Sequence, residues 1–387
     1  MDLENEKSTD LGNGSPNSFV KEKLEWPEPI QRVQGIAESG IKTLPSIYIK
    51  PEPERPQAGN IVSFDEEIPV IDMSGLNDER RSKTMEEISD ACREWGFFQV
   101  INHGIDSQIL RTAMNAGREF FNLPLEEKQK HANDPITYEG YGSRIGVQKG
   151  AVLDWGDYYF HHFLPPSIRN ESKWPSKPKN YRIHMKEYCE DVVDLSLKLL
   201  SVFSVNLGLH PDYLKEAFGG KEDIGMCIRI NYYPACPEPD LTLGLSSHSD
   251  PGGITFLLQD DVNPGLQVRK NDCWVSVKPI PDAFVVNVGD QMQIFTNGMY
   301  KSVEHRVVVN ESRKRMSIAG FCNPCGDKMV GPIQELINNC NPPLYRSMTF
   351  NEYRKFIRTG GTKGKVYVNS IVTCKQMMKG VQCTSVS

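Results

Sequence analysis

Residues 226–321 constrain the fold more than any other part of this chain. They form short segments in which apolar and polar residues alternate, separated by Pro, Gly and Asn. A period of two is typical of half-buried β-strands, and several short strands in succession are typical of an antiparallel sandwich or a rolled barrel. The pattern therefore predicts a distorted, cupin-like jelly roll, although by itself it does not separate that fold from a plain sandwich.

Helical patterns lie on both sides of this block. Apolar residues recur every three to four positions over residues 85–95, 106–120 and 181–207, which is the spacing of one face of an α-helix. Thr349 and Glu352 form a capping-box pattern that predicts a final helix. We expect an α+β protein in which N-terminal helices pack outside the jelly roll and the helix over 181–207 braces its sheet.

These patterns predict four regions along the 387 residues. The four regions are a disordered tail (1–25), an N-terminal region of helices and strands that packs on the core (26–220), the jelly-roll core (221–330) and a C-terminal helix with a tail that is mobile beyond residue 360 (331–387). The tail over residues 1–25 is expected to be disordered because it has low hydrophobicity and no periodic pattern.

Composition narrows the class of partner and the cellular setting. The chain has a formal net charge of −6 and no basic run with interleaved aromatic residues, which argues against a nucleic-acid partner. No apolar stretch approaches the roughly 20 residues that span a bilayer, and the acidic, polar first residues do not resemble a signal peptide. The ten cysteines are scattered, so we expect reduced thiols in a cytoplasmic, and also nuclear, protein with small-molecule ligands and no obligate protein partner.

Three residues of the alternating block have the chemistry of a metal site. His248 and Asp250 are two residues apart, so on an extended strand their side chains leave the same face. His305, from a distant strand, would add a second imidazole. Two imidazoles and one carboxylate suit iron(II), because the opposite positions stay open for substrate and oxygen, whereas structural zinc needs a closed shell of four ligands. The alternative interpretation is a solvated turn with a hydrogen-bonded histidine.

A second group of polar residues lies on alternating segments of the same block. Arg315 and Ser317 share one face of a predicted strand. A guanidinium beside a hydroxyl is what the far carboxylate of a dicarboxylic keto-acid needs. Upstream, Arg229, Asn231 and Tyr233 form the polar face of another strand. Each residue could be an ordinary strand residue at the surface, but the combination indicates a site.

In order and spacing, these residues and the stretches 68–72 and 95–104 resemble the plant 2-oxoglutarate- and iron(II)-dependent dioxygenases. The resemblance runs over residues 26–358. It implies a double-stranded β-helix core and an enzyme that decarboxylates 2-oxoglutarate to succinate while it hydroxylates a substrate with molecular oxygen, with ascorbate as a further candidate cofactor. The implied contacts are iron(II) with His248, Asp250 and His305, and 2-oxoglutarate with Arg315, Ser317, Tyr233 and Asn231.

Three further stretches indicate the branch of the family. Residues 26–34, 138–144 and 154–159 resemble the jasmonate-induced oxygenases. That resemblance implies that the substrate is jasmonic acid or a similar carboxylic acid, and that the biological setting is plant defence. The resemblance therefore predicts a substrate cavity with cations that hold a carboxylate.

The residues implied for substrate binding are three arginines and one tyrosine. Arg229, Arg354 and Arg358 would pair with the carboxylate of the acid, since an unpaired buried charge is costly. The aromatic, glycine-rich stretch 138–166 forms either a packed hairpin edge or a wall of the cavity. On the second interpretation we expect Tyr141 to contact the substrate.

The chain departs from that branch at residues 320–324, where Gly320 and Cys322 replace aromatic residues. If either lines the cavity, we expect a larger, less aromatic pocket and a bulkier or different acid. Flavonoid- and alkaloid-modifying oxygenases share the same iron site and are the first alternative, and a non-catalytic ligand-binding protein of the same fold is the second. His103 and the Cys322-x-x-Cys325 pair are expected to have structural roles rather than metal or redox roles.

Overall fold

The computed structural model describes residues 25–56, 66–260 and 263–373. An eight-stranded sheet and a four-stranded sheet enclose a cavity lined by residues of both. This is the jelly-roll arrangement that the alternating block predicts, in a protein of the α+β class. The expected disordered tail falls outside the described residues except for Glu25, and so do residues 374–387 of the expected C-terminal tail.

Most helices precede residue 225, and most strands lie within residues 225–323. The strands are β1 (Val70–Asp72), β2 (Phe97–Ile101), β3 (Gly140–Gly142), β4 (Asp157–Leu164), β5 (Gly225–Tyr233), β6 (Leu245–His248), β7 (Ile254–Gln259), β8 (Leu266–Lys270), β9 (Cys273–Ser276), β10 (Phe284–Val288), β11 (His305–Val307), β12 (Arg315–Asn323), β13 (Met329–Val330) and β14 (Met348–Thr349). The helices are α1 (Val33–Glu38), α2 (Arg81–Glu94), α3 (Ser107–Phe121), α4 (Leu125–Gln129), α5 (Tyr181–Asn206), α6 (Tyr213–Phe218), α7 (Gly220–Asp223), α8 (Asp290–Phe295), α9 (Phe350–Gly360) and α10 (Val366–Ser370).

The larger sheet has the strand order β1-β2-β10-β7-β12-β5-β4-β3, and the smaller has the order β6-β11-β8-β9. Strands β1 and β2 lie at one edge of the larger sheet and β3 and β4 at the other. Because an unpaired edge exposes backbone donors and acceptors, these additions satisfy both edges of the core. The N-terminal region thus completes the larger sheet as well as covering it.

Helices α2, α3 and α5 cover the outer face of the larger sheet. The predicted helices are confirmed, with bounds shifted by a few residues. Gly96 ends α2 in the left-handed region at φ +63°, a conformation that glycine adopts without a steric cost. Asp106 caps α3 by accepting a 2.7 Å hydrogen bond from the backbone N–H of Gln108, and the capping box of Thr349 and Glu352 opens α9. Local sequence signals therefore place the helices that brace the sheet.

Two expectations about local structure are wrong. The block 226–321 is not all strand, since the buried helix α8 connects β10 to the segment before β11. A six-residue helix buried on all sides has no amphipathic period, so its sequence does not differ from that of a buried strand. The chain beyond residue 360 also stays packed as far as residue 373, with Val368 and Ile371 in the hydrophobic core.

The cysteines and His103 have the structural roles expected of them. All eight cysteines in the described part of the chain are free thiols. Cys322 is buried, which raises the pKa of its thiol to about 12 and makes it a poor redox partner for Cys325. His103 bonds to the backbone oxygen of Asp282 at 2.8 Å. Over the same described residues, no helix combines the length and apolar character needed to cross a membrane.

Candidate metal centre and substrate cavity

His248, Asp250 and His305 meet between the two sheets. His248 ends β6 and His305 begins β11, and the two are directly paired across these antiparallel strands. The Nε2 atoms of both histidines lie 3.6 Å from Asp250 Oδ1. All three ligand atoms lie within 4.8 Å of one another, and the described residues contain no other such cluster. The set fits iron(II), because two imidazoles and one carboxylate leave coordination positions open.

The second nitrogen of each histidine ring is held by the backbone. His248 Nδ1 bonds to the carbonyl of Ser246 at 2.8 Å, and His305 Nδ1 bonds to the carbonyl of Val303 at 3.3 Å. Since a carbonyl oxygen can only accept a hydrogen bond, Nδ1 carries the proton and donates it, and Nε2 is left with its lone pair for a metal. Burial and the neighbouring His305 lower the pKa of His248 to about 4, which keeps its imidazole neutral.

Asp250 lies beyond the end of β6, so strand periodicity does not place it as the sequence suggested. Its Oδ2 accepts hydrogen bonds from Thr255 Oγ1 at 2.5 Å and Asn287 Nδ2 at 2.8 Å. These two donors come from β7 and β10 and leave Oδ1 facing the histidines. Burial opposes ionisation, but the two histidines and these hydrogen bonds lower the pKa of Asp250 overall. The carboxylate is therefore charged and oriented for a metal.

Arg315 and Ser317 lie beside the triad on β12, directly paired with Tyr233 and Asn231 of β5. All four line a cavity of about 60 Å³ that also contains the three metal ligands. Arg315 donates from Nη2 to Gln259 at 2.8 Å, while its Nε and Nη1 are buried without a partner. A buried guanidinium with unpaired donors fits the distal carboxylate of 2-oxoglutarate, which would accept from both. The structure thus brings together the whole predicted keto-acid set.

A larger cavity of about 190 Å³ adjoins the first and shares His248, Asp250 and Arg229 with it. Arg229 of β5 and Arg354 and Arg358 of α9 line it. Its other walls are mostly apolar or aromatic and include Tyr138, Ile145, Tyr158, Phe160, Phe321, Phe350, Ile357 and Tyr367. This cavity therefore combines a mostly apolar wall with three half-buried arginines next to the metal ligands, and the exposed Lys363 also lines it.

The three arginines have no carboxylate partner in this cavity, where Asp250 is the sole acid among the described lining residues. Arg229 packs on the ring of Tyr158 at 4.1 Å, and its Nε is buried without a hydrogen-bond partner. Burial lowers the pKa of Arg354, and burial with the charge of Arg354 lowers the pKa of Arg358 to about 10. Such partly desolvated cations gain most from an anionic ligand.

Tyr141 does not reach the substrate cavity, so its expected role is wrong. Its ring is fully buried among Phe120 and Phe121 on the helix side of the larger sheet, and its hydroxyl bonds to Asp157 Oδ2 at 3.1 Å. Tyr141 of β3 is paired with Tyr159 of β4. Because successive side chains of a strand point to opposite faces, Tyr141 lies on the face of the sheet opposite Tyr158. The stretch is both a sheet edge and a cavity wall, because β3 and β4 form the edge of the larger sheet and Tyr158 and Phe160 of β4 also line the cavity.

Gly320 and Cys322 also face away from the cavity, so the condition for an enlarged, less aromatic pocket is not met. A Cβ at Gly320 would lie 3.0 Å from Met226 and 3.3 Å from Val192 of α5. Cys322 is 1% exposed in the hydrophobic core. Phe321, between them, lines the cavity. The departure from the family pattern therefore concerns how closely α5 packs on β12.

Two parts of the cavity were not predicted from the sequence, namely His162 and the segment 362–364. Burial, with the charges of Arg354 and Arg358, lowers the pKa of His162 to about 3, so it lines the cavity as a neutral ring. The segment closes the cavity by backbone pairing, since Gly364 N–H donates to the Ser247 carbonyl at 3.0 Å. Alternation along β4 could have suggested His162, because it shares a face with Phe160.

Comparison with known proteins gives the same result as the geometry. The model of the 2OG-Fe(II) oxygenase superfamily matches residues 224–324, and the model described as non-haem dioxygenase in morphine synthesis N-terminal matches residues 68–178. Jasmonate-induced oxygenase 2 of Arabidopsis thaliana is 53% identical over 352 residues, which cover 90% of this chain and 95% of that protein.

The chain belongs to the 2OG-Fe(II) oxygenase superfamily. Among solved structures, JOX2 in complex with 2OG, Fe and JA is similar to this oxygenase with a TM-score of 0.85 and 54% identity, covering 90% of this chain and 100% of that one. Flavanone 3-dioxygenase 2 of Oryza sativa subsp. japonica is 41% identical over 335 residues, covering 85% of this chain and 94% of that protein. The similarity thus covers most of the chain, and the sequence identity is higher to the jasmonate-induced oxygenases than to the flavanone dioxygenase.

This oxygenase has the residues that its cofactors need. When bound, iron(II) supplies the oxygen chemistry that couples decarboxylation of 2-oxoglutarate to oxidation of the substrate. His248, Asp250 and His305 would hold the metal, Arg315 and Ser317 would hold the keto-acid, and the apolar walls would exclude water. The four regions predicted along the chain stay a prediction, because the family models match narrower ranges.

Proposed function

We propose that this oxygenase hydroxylates jasmonic acid, or a closely similar carboxylic acid, in the cavity beside the iron site. One molecule each of 2-oxoglutarate and oxygen is consumed, one oxygen atom enters the substrate, and succinate and carbon dioxide are released. The observation that carries the proposal is the group of three half-buried arginines, Arg229, Arg354 and Arg358, in a cavity whose other walls are mostly apolar or aromatic.

The charges of the cavity favour an acid over a neutral ligand. Burying a cation without a counter-charge is costly, and a carboxylate that accepts hydrogen bonds from a guanidinium removes much of that cost. Nε of Arg229 has no hydrogen-bond partner, and the pKa values of Arg354 and Arg358 are lowered. An anionic ligand would stabilise all three cations. The apolar wall suits a hydrocarbon body, which is the other half of a small fatty acid derivative.

The relatives support the same substrate class. A solved relative at 54% identity is described as bound to 2OG, Fe and JA. Relatives at 41% identity are a flavanone 3-dioxygenase and a flavonol synthase, so the flavonoid alternative is the competing outcome. A non-catalytic binder would not need the intact metal and keto-acid sets that the structure contains. A cytoplasmic location is proposed on composition alone.

A substrate panel tests the proposal. Purified protein is given iron(II), 2-oxoglutarate, ascorbate and either jasmonic acid, its methyl ester or a flavanone, and product is measured by mass spectrometry alongside succinate. We expect the jasmonic acid mass to rise by one oxygen, with equimolar succinate, and at least tenfold less product from the ester, which lacks the charge.

Two variants locate the activity. Arg354→Gln should raise the KM for jasmonic acid at least tenfold, whereas Arg313→Gln, which changes an exposed arginine outside the cavity, should leave it unchanged. Turnover of the flavanone without turnover of jasmonic acid would replace the proposed substrate. Tight binding of jasmonic acid without succinate release would favour the non-catalytic binder.

A further inference from the structure

A second large cavity lies on the outer face of the smaller sheet, behind the metal ligands. It has a volume of about 630 Å³, and its floor is formed by Ser247, Arg306 and Trp274. Arg306 follows His305 on β11, and successive side chains of a strand point to opposite faces. The strand that directs His305 to the metal therefore directs Arg306 into this outer cavity. The walls are the segments 50–54 and 362–364.

Arg306 is the residue that indicates a ligand. It is only 3% exposed, its Nε donates to Gln267 at 2.9 Å, and its guanidinium packs on the ring of Trp274 at 4.3 Å. Its Nη2 is buried without a hydrogen-bond partner, and among the described residues it forms no ion pair. A buried cation that lacks both a counter-charge and a full set of acceptors is costly to maintain. An anion in the cavity would remove that cost.

Ser247 supplies a second unpaired group to the same cavity. Its Oγ is buried without a hydrogen-bond partner. Ser247 precedes His248 on β6, and Arg306 follows His305 on β11, while the two histidines are paired across these strands. The hydroxyl and the guanidinium therefore occupy neighbouring positions on adjacent strands. An oxyanion can accept from both at once, as oxyanions do from paired charged and neutral donors.

The other charges of the cavity limit the ligand to a single negative charge. Arg269 is neutralised by Glu304 at 3.5 Å and by Asp272 at 3.2 Å. Lys50 is neutralised by Asp154 at 2.8 Å. Arg306 is thus the buried cation of the cavity without a carboxylate partner, since Lys363 is exposed. Glu54, Asp272 and Glu304 also line the cavity and repel a polyanion.

We propose that this outer cavity binds a small monocarboxylate whose head group accepts hydrogen bonds from Arg306 and Ser247. The site is separate from the substrate cavity, because Arg229, Arg354 and Arg358 do not line it. The segment 362–364 lines both cavities and forms the wall between them. The carboxylate would lie on the opposite side of the strands that carry the two metal-binding histidines.

Fluorine NMR with fluoroacetate as the probe tests the site. The full chain is used with Arg354→Gln and Arg358→Gln, so that the substrate cavity loses two cations. Zn(II), which is redox-inert, is added to occupy the metal site, and saturating 2-oxoglutarate is added to occupy the keto-acid site. Adding Arg306→Gln should weaken fluoroacetate binding at least tenfold, and Ser247→Ala should weaken it at least threefold. Arg313→Gln, which changes an exposed arginine outside both cavities, should change it less than twofold.

The outcomes decide the proposal independently of the enzyme's substrate. Absence of fluoroacetate binding to the parent, or equal binding after Arg306→Gln, would overturn it. Displacement of the probe by inorganic phosphate at lower concentrations than by acetate would also overturn it, since the head group would then be a phosphate. If Arg306→Gln fails to fold, Arg306→Lys keeps the charge without the planar fork, and it should bind at least threefold more weakly than the parent.

Discussion

The hydroxyl of Tyr353 donates a 2.7 Å hydrogen bond to Oδ2 of the buried Asp290. The same carboxylate accepts from Ser302 at 2.7 Å and from Ser249 at 3.2 Å. Tyr353 lies on α9, which carries two arginines of the substrate cavity, and Ser249 lies between the first two metal ligands. Asp290 therefore joins the helix that carries Arg354 and Arg358 to the loop that carries the metal-ligand candidates.

Removing one donor of this network should loosen the substrate arginines. Tyr353→Phe keeps the ring but leaves Asp290 short of a hydrogen bond, and an unpaired buried acceptor costs about 1–3 kcal/mol. We expect a three- to tenfold rise in the KM for the carboxylic acid with an unchanged KM for 2-oxoglutarate, measured by succinate release. Tyr213→Phe, which removes an exposed hydroxyl bonded to Glu335, should change neither constant. Equal changes in both constants would indicate a general loss of stability instead.

Removing the guanidinium of Arg315 should affect the keto-acid alone. Arg315→Ala deletes the donors that lie unpaired in the keto-acid cavity. We expect the KM for 2-oxoglutarate to rise at least tenfold, about 1.4 kcal/mol or more, while the affinity for the acid substrate, measured by calorimetry, changes less than twofold. Arg315→Lys should be intermediate, because it keeps the charge and loses the fork. His248→Ala should abolish turnover, and retained turnover in that variant would remove His248 from the metal site.

Tyr141→Phe separates a structural role from a role in substrate binding. The hydroxyl of Tyr141 bonds to the buried Asp157, so its loss should lower the free energy of unfolding by about 1 kcal/mol. The kinetic constants for the acid should stay within twofold of the parent, as measured by product formation against substrate concentration. A large rise in the KM without a loss of stability would return Tyr141 to the substrate cavity.

His161 should make the protein less stable as the pH falls. Burial lowers the pKa of His161 to about 3, and both ring nitrogens lack hydrogen-bond partners. The unfolded chain therefore binds a proton near pH 6.5 that the folded protein does not bind, so stability falls with pH from about 6.5 towards 3.

His161→Phe should remove that dependence. Relative to the parent, the variant should gain about 1.4 kcal/mol in the free energy of unfolding for each pH unit below 6.5. The measurement is denaturant unfolding at pH 7, 6 and 5. Replacement of His210, which is exposed, by Phe is the matched control and should show no such trend. Parallel curves for parent and His161→Phe would contradict the assignment.

The metal and keto-acid residues could be predicted from the sequence, because the prediction depends on residue types at short spacing. His248 and Asp250, Arg315 and Ser317, and Asn231 and Tyr233 are pairs two residues apart, and each pair reaches its predicted cavity. Caps such as Asp106 and the box at Thr349 and Glu352 also fixed helix starts, since they act within one turn. These features need only local geometry and known coordination chemistry.

Only the tertiary structure decided which side chains face which cavity. Tyr141 and Gly320 lie on strands whose two faces are both buried, so no polar alternation in the sequence distinguishes the helix side from the cavity side. The role of residues 362–364 and the outer cavity of Arg306 likewise depend on chain segments that meet over long sequence separations. The sequence thus determined the metal, the keto-acid and the fold class, whereas packing between distant segments determined the shape and charge of the space around them.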